Sequence, residues 1–168
     1  MKAISLPLLS AIASAAMFTA CASEAQSPPS APPTQAPSET YLDQPQTPGT
    51  WTYVKAARET LAVFGAGLDQ PVFAIRCANG AIQLGRVATA PPEATRAMKV
   101  MAETTSRTLT AKARSGNFPS FVAELESNDP LLDAIAITKG RFVIEVEGEN
   151  PLYLPAWVEV SRVIEDCR

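Results

Sequence analysis

One segment near the start of the chain cannot join a core, and it decides how much chain is left to fold. Residues 22–50 hold seven prolines (Pro28, Pro29, Pro32, Pro33, Pro37, Pro45 and Pro48), no Lys or Arg, and otherwise mostly Ser, Ala, Gln and Thr. So little apolar surface does not offset the entropy of ordering it, and the proline density biases it toward extended polyproline II. The segment reads as a tether. Spacings such as Pro29 to Pro32 fit a plain spacer better than a recognition motif. Folding is left to residues 51–168, a length that one hydrophobic core can serve without a metal.

Ahead of the tether, Lys2 supplies a positive start and residues 4–18 are apolar, with no acidic group before Glu24. That run is shorter than the roughly 20 residues a transmembrane helix needs, so residues 1–20 read as a cleaved secretory signal. It ends in Phe18-Thr19-Ala20-Cys21, which resembles the lipobox of bacterial lipoproteins, although Phe18 stands where Leu is usual. The resemblance implies a diacylglyceryl group on the Cys21 thiol and cleavage before it. An ordinary signal peptide cut after Ala22 is the alternative. Residue 22 is Ala rather than the Asp that tends to retain such proteins at the inner membrane. The expected address is therefore the periplasmic face of the outer membrane, held by lipid chains enough for stable residence.

The chain contains no histidine, which removes the commonest general base, the Ser-His and Cys-His nucleophile pairs and most imidazole zinc sites. Without Lys2, the 14 basic residues become 13 against 17 acidic ones, a net charge of −4 with no run of either sign. Neither nucleic-acid binding nor a polybasic membrane patch is expected from that pattern. No cofactor and no metal are expected either.

The remaining chain reads as mainly β, an antiparallel sandwich or barrel-like sheet with two helices. Residues 51–54 and 60–64 suggest a first pair of strands, closed by Gly65-Ala66-Gly67. The strongest signal is Asn79-Gly80 between residues 71–77 and 81–87, a two-residue hairpin turn. Its register pairs Cys77 with Ile82, Ile75 with Leu84, and Phe73 with Arg86. The side carrying Phe73, Ile75, Cys77, Ile82 and Leu84 must then be the core side. A further hairpin is expected over 96–102 and 107–113, and strands over 121–125 and 142–146. Asp129-Pro130 is an N-cap followed by a first-turn proline, opening a short helix near 129–139 that stops at Gly140. Apolar residues 156, 157, 160, 163, 164 and 167 follow helical spacing, predicting a terminal helix near 155–167.

Cys167 falls on the buried side of that helix and Cys77 on the buried side of the hairpin. With Cys21 removed by lipid, an oxidising compartment leaves two cysteines, and a Cys77–Cys167 disulfide is predicted. Closing a loop of about 90 residues is worth roughly 4 kcal/mol. Two buried free thiols are the alternative.

For binding, three arginines stand out. Arg76 and Arg86 lie on the central hairpin, and Arg141 follows Gly140. Residues 81–87 and 136–142 share Ala-Ile-x-x-Gly-Arg, and a glycine-flanked guanidinium suits a carboxylate or phosphate. Against a shared site, the hairpin register puts Arg76 and Arg86 on opposite sides, and it leaves Arg86 in need of a carboxylate partner. Alternation makes Glu145, Glu147 and Glu149 a solvated stripe. The lipobox, the tether and the strand cysteine within residues 73–87 together resemble, over about a tenth of the chain, the periplasmic lipoprotein inhibitors of c-type lysozyme. Their Ser-Gly-x-x-Tyr loop has only Thr138-Lys139-Gly140-Arg141-Phe142 as a counterpart. The ending, with Glu165-Asp166-Cys167-Arg168, resembles alphaproteobacterial lipoproteins and implies no activity. The expected function is a non-enzymatic binding or envelope-assembly accessory module with an envelope protein partner. An inhibitor of a wall-degrading enzyme and a carboxylate-based enzyme are the alternatives.

Overall fold

In the computed structural model, residues 41–168 are described; the signal, Cys21 and the tether up to residue 40 lie outside the described residues. The element order is β1 (Thr50–Lys55), β2 (Glu59–Gly65), β3 (Pro71–Ala78), β4 (Ala81–Val87), β5 (Arg96–Met101), β6 (Ser106–Arg114), β7 (Ser120–Glu126), α1 (Pro130–Ile137), β8 (Arg141–Val146), β9 (Leu152–Pro155) and α2 (Val158–Asp166). The domain is mainly β, as its alternating apolar pattern requires. All strand pairs are antiparallel, in one sheet of order β1-β2-β3-β4-β7-β6-β5-β8-β9.

The first four strands are a meander. Residues 88–95 then skip two strand positions to reach β5, and β6 and β7 fill the gap on the way back. β6 turns the corner, because residues 106–111 pair with β5 while residues 112–114 pair with β7. The sheet curls into a half-barrel until its two ends meet. The Trp51 indole N–H donates to the Pro155 carbonyl at 2.8 Å, and the backbone of Thr47 donates to that of Tyr153 at 3.0 Å. Trp51 also packs edge-on to Phe64 and lies 6.4 Å from Phe142, so one aromatic cluster joins both halves.

Asn79 and Gly80 both have positive φ, the geometry of a type I′ turn, and the β3–β4 register follows from it pair by pair. Phe73, Ile75, Cys77, Ile82 and Leu84 all face the core. Helix α1 starts where Asp129 accepts the Leu131 N–H at 2.9 Å, and its Leu131, Leu132 and Ile135 are buried. It ends at Ile137, short of Gly140, because the Thr138 hydroxyl turns back onto the Ala134 carbonyl. Helix α2 buries Val160, Val163 and Ile164, and a disulfide with a 5.4 Å Cα–Cα separation joins Cys167, just past it, to Cys77 in β3.

Two further boundaries differ from the sequence expectation. The terminal helix begins at Val158 rather than 155, because Leu152–Pro155 is the strand β9 and its ladder extends through the Ala156 N–H to the Gly140 carbonyl. The folded domain also reaches back at least to Tyr41, ten residues before position 51. Tyr41 is buried with Met101 and Val143, and the Thr47 hydroxyl accepts the Tyr153 N–H. Burial there, followed by the Glu103 charge, raises the Tyr41 hydroxyl pKa.

Helix α2 is tied to β1 by a second contact. The Tyr53 hydroxyl donates to Asp166 at 2.6 Å, with the Arg162 guanidinium 3.9 Å from the ring centre. The Asp166 hydrogen bond, more than desolvation, raises the Tyr53 pKa above 10.0. The folded value exceeds the unfolded one, so this contribution is full below about pH 10 and fades as pH rises through the folded value. Denaturant midpoints measured across that range should show an alkaline loss that Tyr53→Phe reduces, with the raised Tyr41 contributing to the remainder.

Candidate functional site

The three arginines occupy three separate places. Arg86 is the last residue on the core side of β4, opposite Phe73 on one neighbour and Phe121 on the other. Its partner is Glu149: Nη2 lies 3.6 Å from Oε2, and both side chains are 6% exposed. The guanidinium also donates to the carbonyls of Val72, Val87 and Asn150. Burial pushes its pKa down, and the Glu149 carboxylate opposes that. Glu149 in turn accepts the Thr89 N–H at 2.9 Å and the Thr89 hydroxyl at 3.2 Å.

The glutamate stripe is therefore broken at its end. Glu145 stays on the outside beside Lys99 and Glu147 is exposed. The strand stops at Val146, Gly148 takes φ 84°, and the chain turns Glu149 inward. Glu93, Glu147 and Glu149 line one cleft of about 240 Å³ with Thr89, Pro91 and Arg96. Of these carboxylates Glu93 and Glu147 are exposed and Glu149 is paired with Arg86, which suits a structural lock better than proton transfer.

Arg76 points to the other side of the hairpin. Its Nε donates to Glu59 at 2.6 Å and its Nη1 to Gln83 Oε1 at 3.0 Å. Arg114, from β6, reaches the same Gln83 oxygen at 3.5 Å, and the Gln83 amide donates to Glu124 at 3.0 Å. Beneath these groups lies a shallow groove across β2, β3, β4 and β7, floored by Leu61, Ala74, Gly85 and Val122. Gly85 keeps it open. A Cβ there would meet only the Ala74 carbonyl at 3.7 Å and Val122 at 3.9 Å, so nothing in the backbone demands glycine. A second hollow continues from Arg114 and Val122 past Lys112.

Arg141 opens β8 at one end of the molecule and donates to the Leu42 carbonyl. The two Ala-Ile-x-x-Gly-Arg stretches are structurally unrelated, since one is a strand and the other runs from helix through turn to strand. Residues 138–142 make a tight link in which Thr138 and Phe142 are buried. Lys139 and Gly140 between them are exposed.

Among the described residues, no three His, Cys, Asp or Glu side chains gather where they would hold a metal. No family model, curated protein or solved structure matches the chain. The groove is the arrangement best suited to recognition, since Arg76 and Arg114 edge a small apolar floor and Lys112 lines the hollow beside it. Sequence reasoning reached Arg76 and, through the hairpin register, its position opposite Gln83. Arg114 and Lys112 arrive only through the β4–β7–β6 order, for which no local signal exists.

Proposed function

We propose that this chain is a lipid-anchored, periplasm-facing lipoprotein acting as a non-enzymatic binding or envelope-assembly accessory module. On this reading, the groove over Gly85 takes a carboxylate-bearing segment of an envelope partner. The observation that carries it is the convergence of Arg76 and Arg114 on one Gln83 oxygen above an apolar floor. Glu59 and Gln83 hold Arg76 in place, while Arg114 is exposed and makes only the long contact to Gln83. Lys112 has no ion pair among the described residues. A guanidinium on a fixed strand with donors to spare suits bidentate capture of a carboxylate. The apolar floor favours a chain whose neighbouring side chain is small and uncharged.

The test is photo-cross-linking in cells from a reactive residue at Ser120, which lines the groove. Envelope adducts are expected, and Gly85→Val, which fills the floor, should remove them while leaving the fold intact. Arg114→Glu should weaken them by about tenfold, the scale of one charge-assisted bond replaced by repulsion. Adducts indifferent to both substitutions would end the groove reading. A mature chain whose intact mass shows no acyl group on Cys21 would end the anchor reading separately.

A further inference from the structure

We infer that the end of the domain where the tether enters docks onto the bilayer surface, with Trp157, Val158, Ile137 and Leu42 as its apolar contacts. Six large apolar side chains are exposed among the described residues. Two of them, Leu68 and Phe118, sit singly in separate turns, which is ordinary for a protein surface. The other four lie on segments that two hydrogen bonds join. The Gly140 carbonyl accepts the Ala156 N–H at 3.0 Å, joining the turn after α1 to the turn before α2. Arg141, next in the chain, holds the Leu42 carbonyl. Around that junction, Val158 is 73% exposed, Ile137 68%, Trp157 43% and Leu42 41%.

Trp157 has no structural task that would explain its exposure. It occupies the N-cap of α2 without a side-chain capping bond, and its indole N–H has no partner among the described residues. Trp51, by contrast, is buried and bonded to Pro155. An apolar ring with an unused N–H suits a bilayer interface, where one side of the ring is dry and the other wet. Lys139 and Arg141 flank Gly140 and suit headgroup phosphates, with long stems that let the apolar residues sink between them. Asp43, which follows Leu42, and Glu103, which accepts the Lys139 N–H, temper any attraction to anionic lipid, so the contact is apolar first.

The chain outside the described residues argues for lipid over other occupants, and here the inference rests on the anchor reading above. Residues 22–40 separate Cys21 from Tyr41, a reach of at most roughly 65 Å. They join the domain one residue before Leu42, so the anchored end of the chain enters beside these side chains. A tethered surface meets the bilayer at an effective concentration near the millimolar range, so a weak contact suffices. A second copy of the chain is a poorer fit. Four side chains fall well short of the roughly 20–30 residues a side that a stable interface uses.

The mature lipoprotein should be reconstituted in vesicles of phosphatidylethanolamine and phosphatidylglycerol containing brominated lipid, with Trp157→Phe giving the Trp51 background. Trp157 emission should be quenched and that of Trp51 unaffected. Val158→Ser and Ile137→Ser should each lower the docked-to-free ratio by about tenfold. An acylated protein with unquenched Trp157 overturns the docking and leaves the anchor standing. An unacylated chain that vesicles still quench overturns the anchor and leaves the docking standing; one they do not quench overturns both. A concentration-dependent blue shift of Trp157 without vesicles assigns the patch to a second copy and also overturns it.

Discussion

Replacing Cys167 with alanine should lower the unfolding free energy by about 4–5 kcal/mol, read from urea titration. The bridge spans a sequence separation of 90, and closing a loop of that length in the unfolded chain accounts for most of the effect. For a domain whose whole stability lies within roughly 5–15 kcal/mol, that is a large share. Helix α2 is where the loss should show first. Nine residues do not make a stable helix alone, and this one has no side-chain N-cap and no basic residue in its last turn. What remains without the bridge includes the packing of Val160, Val163 and Ile164, the Tyr53 contacts to Asp166 and Arg162, and the bonds of Arg168 to Asp133 and Ser127. Amides of α2 should therefore exchange before those of β3 and β4. Cys77→Ala and the double variant should match Cys167→Ala within error, since either loss opens the whole loop. An unchanged midpoint under reducing conditions would refute the account.

The parts of this fold that were legible are those fixed by local chemistry. Asn79-Gly80 specifies one turn type, that turn specifies the hairpin register, and the register places Cys77 inward, Arg76 outward and Arg86 at the end of the core side. The disulfide partner followed because Cys167 shares a helical period with Val160, Val163 and Ile164. The need of Arg86 for a carboxylate was also legible, but the identity of that carboxylate was not. Glu149 continues the alternation of Glu145 and Glu147 on paper, and only Gly148 marks where the chain leaves the strand. Similarly, Leu152–Pro155 alternates over too few residues to declare a strand, and at the sheet edge it tolerates Pro155, a residue equally suited to the first turn of a helix. Tyr41 was lost in a proline-rich composition, because its burial depends on β5, β8 and β9 arriving from far along the chain. The groove was half legible for the same reason. Arg76 and Gln83 belong to one hairpin, while Arg114 needs a strand order set by a crossover.

Arg86→Met should cost about 3–5 kcal/mol, as breaking one side of a buried pair does when it leaves the other charge uncompensated. Glu149 would keep its bonds from Thr89 but lose the one cation it pairs with among the described residues, in a cavity where its side chain is 6% exposed. Glu149→Gln should cost less. The amide oxygen still serves Thr89, and three backbone carbonyls still receive the guanidinium. Arg86→Met combined with Glu149→Leu is the informative variant. Replacing a whole buried pair by apolar side chains of similar volume is often near neutral, and Phe73 and Phe121 on either side of Arg86 offer apolar surface to pack against. The double variant should therefore be more stable than Arg86→Met alone, with a coupling energy of about 1–3 kcal/mol in a full cycle. Its residual cost covers the three carbonyl bonds of Arg86 together with the Thr89 bonds, which pin residues 88–95, the crossover from β4 to β5, against the turn after β8. If the two substitutions add without coupling, the 3.6 Å approach is mere proximity and the crossover is held by other contacts. Strong coupling makes the pair the lock that fixes which strand β5 pairs with, and so the order of the sheet's second half.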